Sequence, residues 1–273
     1  MPFITLPAVG QEPALMLHYE SWGQPSAQPT LVLVHELGGT LESFREFAQQ
    51  LAPRHHVVAY DQRGCGLSEK PGVPYGLDAL GQDIGRLVEA LDLRGPFNLM
   101  GLALGAVVAL HYARQSMPRV RSLILCDGTS GIDENARGYL LNRAEKIRRQ
   151  GMRSVLESSL KNSFRGLLEG PLPDFYLRYS DQFLTNCPNS YAQHSEALAQ
   201  MALDDQDFQR ISCPVLVATG RNDFIWPIPT GEELAAKLTN ARFQVVEGAA
   251  HFPPIQQCAL TARYVQEFFD SNA

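Results

Sequence analysis

The chain has 273 residues, 45% hydrophobic and 19% charged, with 22 glycines and 18 prolines. That usage fits a folded chain with a sizeable core and excludes disordered, collagen-like and coiled-coil classes. A net charge of -6 argues against a general electrostatic grip on nucleic acid or an anionic membrane, so small molecules are the expected partners.

From Met1 to Thr5 no basic stretch precedes an apolar one, so no secretory signal is read and a cytoplasmic address is expected. Alternation in Leu15–Glu20 predicts a half-buried strand ended by Gly23 and Pro25. Six later runs are short and mostly continuously apolar: Leu31–Val34, His56–Tyr60, Phe97–Met100, Val120–Leu125, Pro214–Ala218 and Phe243–Val246. Such runs fit strands buried on both faces of a parallel sheet. Helical spacing falls between them, over Leu41–Leu51, Leu77–Leu91, Leu104–Arg114, Thr230–Leu238 and Ala259–Phe269. Strand and helix therefore alternate, the pattern of a wound α/β sheet. The longest apolar run, Leu99–Leu110, falls short of the ~18 residues of a spanning helix, and no membrane segment is read.

One interval breaks the alternation. From Ile132 to Gln209 only helical spacing is visible, with Met152, Leu156, Leu160, Phe164 and Leu168 on one face. Asp133–Arg165 holds eight Lys and Arg against four Asp and Glu. A solvated helix face explains most such runs; an anion-receiving lid is the sharper reading, with Arg137, Arg143, Arg148, Arg149 and Arg153 as candidates. The five cysteines, Cys65, Cys126, Cys187, Cys213 and Cys258, have neither disulfide-framework nor zinc-ligand spacing. No dinucleotide or P-loop fingerprint follows a strand, so neither a metal nor a cofactor is expected.

The sharpest local pattern is Gly101-Leu102-Ala103-Leu104-Gly105, a strand entering a tight turn and then a helix. It has the outline of the GxSxG nucleophile elbow with alanine at its centre. Alanine can hold that turn but cannot attack. Two further loops end strands: Gly220-Arg221-Asn222-Asp223-Phe224-Ile225-Trp226-Pro227 and Gly248-Ala249-Ala250-His251-Phe252-Pro253. Each presents a titratable side chain at the sheet edge where ligands bind in open α/β sheets. The bland readings are an Asp223 that caps its turn, a His251 satisfied by backbone, and a Trp226 that belongs to the core.

With His35-Glu36-Leu37-Gly38-Gly39 and Asp61-Gln62-Arg63-Gly64-Cys65-Gly66-Leu67-Ser68 added in order, the chain resembles the alpha/beta-hydrolase family, in its compact esterase, enol-lactonase and carbon–carbon-bond hydrolase branch. The resemblance implies a mostly parallel eight-stranded sheet with helices on both faces and a helical cap after the sixth strand. The core would span 1–131 and 210–273 and the cap 132–209. It also implies an acid at Asp223, a base at His251, and an oxyanion hole from the N–H groups of Leu37 and Leu104. Asp127, at the end of the sixth strand, is the reserve acid, because some members take theirs from that position. The Asp61–Ser68 turn is read as structural, held by its glycines and an Asp61–Arg63 pair.

Two positions depart from the family pattern. Ala103 stands where Ser, Cys or Asp is usual, and Glu36 where Gly is usual, bringing a carboxylate near the oxyanion loop. Either the alanine replaces a serine in a chain otherwise active, or His251 activates water or deprotonates substrate directly, a route suited to activated substrates. The leading expectation is a hydrolase of small carboxylate-bearing esters, enol lactones or vinylogous carbonyl compounds. The alternatives are a non-hydrolytic His–Asp enzyme (a cofactor-free oxygenase, lyase or isomerase) and a ligand-binding pseudoenzyme. Keeping both His251 and Asp223 favours catalysis.

Overall fold

Leu31, Val32, Leu33 and Val34 are all fully buried because apolar layers cover both faces of their strand. Val32 and Val34 join one core cluster, Leu31 and Leu33 the other. Withdrawing each such side chain from water stabilises the fold by about 1.5–3 kcal/mol, so an unbroken apolar run specifies an interior strand.

The computed structural model describes residues 2–10, 12–167 and 174–272. Its strands are β1 (Phe3–Leu6), β2 (Leu15–Trp22), β3 (Leu31–Val34), β4 (Val57–Tyr60), β5 (Phe97–Leu102), β6 (Val120–Cys126), β7 (Val215–Gly220) and β8 (Ala241–Val246). They form one sheet in the order β1-β2-β4-β3-β5-β6-β7-β8. β1 and β2 pair antiparallel, as do β2 and β4, and every other pairing is parallel. The helices are α1 (Arg45–Leu51), α2 (Leu77–Ala90), α3 (Leu104–Ser116), α4 (Glu134–Gln150), α5 (Arg153–Ser163), α6 (Asp174–Thr185), α7 (Pro188–Ala199), α8 (Asp205–Gln209), α9 (Ile228–Lys237), α10 (Pro253–Gln256) and α11 (Cys258–Asp270). α2, α3 and α9 bury their apolar stripes in one cluster, α1 and α11 in the other. This is the alpha/beta-hydrolase fold, with helices on both faces of the sheet.

Each predicted strand is present, with ends moved by a residue or two. β1 has no counterpart among the predicted strands: of its four residues only Leu6 is buried, so an edge strand this short carries no periodic signal. The predicted Leu41–Leu51 helix is a one-turn 3-10 helix at Leu41–Phe44 followed by α1. Of the predicted stripe, Met152, Leu160 and Phe164 are buried, Leu156 is half-buried, and Leu168 lies outside the described residues.

The Asp61–Ser68 turn is held differently from the expectation. Asp61 does not pair with Arg63; its Oδ1 accepts from Leu41 N–H at 2.8 Å, and its Oδ2 accepts from Leu67 N–H and contacts His18 Nδ1, both at 2.8 Å. Arg63 instead forks onto Asp83 at 2.6 and 2.7 Å and reaches Glu12 at 2.8 Å. The spacing put the two residues in one turn, but the turn sends their side chains to opposite partners. Ser68 completes the clasp by donating to the Asp61 carbonyl at 2.6 Å.

Candidate active site

Parallel strands deliver their C-terminal loops to one edge of the sheet, and β3, β5, β6, β7 and β8 bring Glu36, Ala103, Asp127, Asp223 and His251 there. At the end of β5, Ala103 has φ 51° and ψ -114°. Left-handed backbone at a residue with a Cβ is strained and held only by its surroundings. Those surroundings need glycine on both sides: a Cβ on Gly101 would strike the Gly105 carbonyl, and one on Gly105 would strike the Val34 carbonyl. The tight turn is therefore built, with the Ala103 methyl group at its apex.

Leu104 opens α3, so its N–H has no partner within the helix. Leu37 follows β3 in a loop fixed by His35, whose Nδ1–H donates to the Glu36 carbonyl at 2.8 Å while Nε2 accepts from Gln62 N–H at 3.0 Å. Among the described residues neither the Leu37 nor the Leu104 N–H is taken by a protein acceptor. Both residues line a cavity of about 610 Å³ together with Glu36, Ala103, Arg143, Trp226 and His251.

His251 Nδ1 lies 2.8 Å from Asp223 Oδ2. Asp223 Oδ1 accepts from the N–H groups of Ile225 at 2.8 Å and Trp226 at 3.2 Å, so this residue both caps its turn and orients the imidazole. Trp226 meets the His251 ring edge-on at 5.5 Å, which puts it in the cavity wall. Asp127, with φ 44°, is fully buried and accepts from Gly220 N–H at 3.0 Å. Ligand-type atoms of Asp127, Asp223 and His251 all lie within 4.8 Å of one another. Burial and then the neighbouring Asp223 charge push the Asp127 carboxyl well above its usual range. Burial also acts to raise Asp223, but His251 beside it and the Ile225 N–H hold it below the ordinary carboxylate value. Two carboxyls this close cannot both ionise, and the environment places the proton on Asp127 and the charge on Asp223. Only Asp223 bonds to His251. Among the described residues these three groups are the one set spaced for a cation, and a divalent ion there would have to displace both the Nδ1 proton and the Asp127 proton.

Two participants escaped the sequence reading. Gln256 accepts from Ala250 N–H at 2.7 Å and Phe252 N–H at 3.2 Å, and donates to the Ser163 carbonyl at 2.8 Å, tying the His251 loop to the end of α5. No motif marks it. Arg143 was one of five cations in the basic run, and the structure separates it from the others. Arg137, Arg148 and Arg149 pair with Glu134, Glu196 and Glu145, and Arg153 is exposed. Arg143 is buried and donates only to neutral hydroxyls: Tyr191 at 2.9 Å, Tyr139 at 3.1 Å, Ser158 at 3.3 Å, and Ser159. These take four of its five N–H donors, and among the described residues no carboxylate reaches it. The available signal was helical phase, since Arg143 interrupts the buried stripe formed by Leu140, Ala144 and Ile147.

The alpha/beta hydrolase fold family model matches residues 29–257. The chain belongs to the alpha/beta-hydrolase family. It is 28% identical over 242 residues to 3-oxoadipate enol-lactonase 2 of Acinetobacter baylyi, covering 88% of each chain. It is 26% identical over 241 residues to a putative carbamate hydrolase of a Caulobacter species, covering 86% of this chain and 88% of that one. An enol-lactonase from Burkholderia xenovorans superposes with a TM-score of 0.88 at 26% identity, covering 94% of this chain and 97% of that one. This chain is thus an enzyme of the hydrolase class.

Proposed function

We propose that this alpha/beta hydrolase cleaves a small carboxylate-bearing ester, enol lactone or vinylogous carbonyl compound by direct attack of water, without a covalent acyl-enzyme. The observation that carries the reading is the His251–Asp223 pair at 2.8 Å in a cavity shared with the Leu37 and Leu104 loops and the methyl group of Ala103. His251 takes a proton from water as the water oxygen bonds to the acyl carbon. Asp223 orients the ring and stabilises the imidazolium. The Leu37 and Leu104 N–H groups receive the developing oxyanion. Collapse of the tetrahedral intermediate breaks the bond to the leaving oxygen, or to the enolate carbon of a vinylogous diketone, and the leaving atom takes a proton.

Arg143 supports the carboxylate. A guanidinium that cannot lose its proton, buried among hydroxyls in the cavity wall, is relieved of its desolvation cost by an anionic ligand. The enol-lactonase relatives support the activated-ester class, which suits a catalyst lacking a side-chain nucleophile. Ala103 and the Gly-to-Glu departure at Glu36 fall in the same cavity, which favours an alanine native to this chemistry over an isolated lesion. Residues 132–209, holding Arg143 and the aromatic wall of Tyr179, Phe183 and Tyr191, serve as a cap over the core at 1–131 and 210–273.

The test is mass-resolved product analysis in 18O-water, on a panel of phenyl esters, enol lactones and vinylogous diketones. The chain as it stands, Ala103→Ser and His251→Ala are run side by side. The expected result is a product heavier by one water from the unaltered chain, no acyl adduct on the protein, and loss of turnover in His251→Ala. Turnover confined to Ala103→Ser would overturn the water route. A product without added water would point to the non-hydrolytic dyad, and saturable thermal stabilisation with no product to a binding role.

A further inference from the structure

In a serine triad the histidine takes the nucleophile's proton and then gives it to the leaving group within each half-reaction. In the proposed water route His251 alone would have to do both, and a second group able to give a proton to the leaving oxygen would let His251 act as base only.

Glu36 has the placement for it. The side chain is 1% exposed and lines the cavity with Ala103 and His251. One carboxyl oxygen, Oε1, accepts from Ser43 Oγ at 2.6 Å, whereas Oε2 is buried with no hydrogen-bond partner. A buried carboxyl oxygen left unpartnered is costly unless it carries a proton or meets a ligand. Its backbone is not free to move away, because the Glu36 carbonyl accepts from His35 Nδ1–H at 2.8 Å and Gly39 N–H at 3.1 Å. The side chain folds over Gly39, where a Cβ would strike Oε1. Gly39 beneath it leaves room for the carboxyl, and Ala103 lines the same cavity. The titratable groups facing it are His251 from the loop after β8, Tyr179 from α6 and Cys65 from the loop after β4, with the Ser43 hydroxyl on the 3-10 helix.

We propose that Glu36 is the general acid of this enzyme, its Oε2–H protonating the leaving oxygen while His251 accepts the proton of the attacking water. The inference rests on the water route. The water oxygen bonds to the acyl carbon and one water proton goes to His251 Nε2. The bond from the acyl carbon to the leaving oxygen breaks, and that oxygen takes the Glu36 proton. The His251 proton then returns to the Glu36 carboxylate, so ester plus water gives acid plus alcohol with both groups reset. Burial raises the Glu36 carboxyl to about 7 despite the Ser43 bond and the His251 charge, so it keeps its proton up to neutral pH, where a general acid is most effective.

The experiment measures kcat/KM from pH 5 to pH 9 for phenyl acetate and 4-nitrophenyl acetate with the unaltered chain, Glu36→Gln and His251→Ala. Gln keeps an acceptor for Ser43 and a similar volume, and thermal melting checks the fold. Phenol is a much weaker acid than 4-nitrophenol, so its ester needs the proton more. The expected result is an alkaline fall near pH 7 for phenyl acetate in the unaltered chain. Glu36→Gln should abolish that fall and lower the plateau by ~10²-fold or more for phenyl acetate, against ~10-fold or less for 4-nitrophenyl acetate. Equal losses on both esters with an unchanged pH profile would overturn the role of Glu36 and leave the water route standing. Hydrolysis that persists in His251→Ala, or that is absent from the unaltered chain, would overturn the water route and this inference with it. An ordinary Glu36 titration in carboxyl 13C NMR, with hydrolysis dependent on His251, would overturn the inference alone.

Discussion

Replacing Glu36 by Gln is expected to stabilise the fold, and by an amount that depends on pH. At low pH the carboxyl is protonated in both folded and unfolded chains and its ionisation contributes nothing to their difference. Between the ordinary glutamate value of 4.5 and about 7 the unfolded chain releases the proton and the folded chain retains it. Stability then falls by ~1.4 kcal/mol per pH unit. Above about 7 both states are ionised and the loss levels off at about 3 kcal/mol, a large share of the ~5–15 kcal/mol that domains possess. Gln does not titrate, so the difference between variant and unaltered chain should be small near pH 4 and reach about 3 kcal/mol by pH 8. Urea unfolding across that range, with slopes checked for equality, measures it. Any constant effect of the substitution, such as a changed bond to Ser43, shifts every point equally and drops out of the slope. Two stability curves that run parallel from pH 4 to pH 8 would refute the claim that this carboxyl is held protonated by burial, whatever the enzyme's substrate.

Asp127→Asn preserves an acceptor for the Gly220 N–H, so kcat/KM should fall less than ~10-fold, while Asp127→Val should cost more because the Gly220 N–H loses its partner; steady-state kinetics of the pair checks this. Arg143→Met should lower kcat/KM for carboxylate-bearing substrates by ~30- to 150-fold, the equivalent of the ~2–3 kcal/mol carried by a charged hydrogen bond, and leave neutral esters of similar size nearly unaffected. His251→Ala should reduce turnover by ~10²–10⁴-fold on every substrate, read from the same progress curves.

The strands of the sheet were legible because burial on both faces leaves an unmistakable apolar run, as in Leu31–Val34 and Val215–Ala218. β1 was not, since four residues with one buried side chain have no pattern to detect. The elbow was legible through its glycines: Gly101 and Gly105 are dictated by contacts with backbone that no side chain can replace, so they persist although position 103 is alanine. Asp223 and His251 were legible from their loops, but spacing left open which of Asp127 and Asp223 meets the histidine. That choice depends on a hydrogen bond across the sheet edge. Arg143 and Gln256 lie further from reach, because their roles come from how α4 and α5 settle against the core, a long-range packing outcome that local sequence does not encode. The supposed Asp61–Arg63 pair failed for the same reason: Asp83, the true partner, sits on α2, twenty residues on.

On the proposed water route Ala103 and Glu36 act together rather than separately. A serine at position 103 would bring its hydroxyl into the cavity that Glu36 and His251 also line, where a protonated Glu36 within reach would hydrogen-bond to the nucleophile and blunt it. A glycine at position 36 beside alanine at 103 would leave His251 as the lone proton carrier, base to the water and then acid to the leaving oxygen. On the proposed route alanine with glutamate divides these tasks: the methyl group leaves space for a water molecule against His251, and the buried carboxyl would supply the proton of the leaving oxygen. The strained backbone at Ala103 still has a purpose in this arrangement. It turns the chain so that Leu104 opens α3 beside the cavity, and on the proposed route an oxyanion would use its N–H whether the attacking oxygen belonged to a side chain or to water.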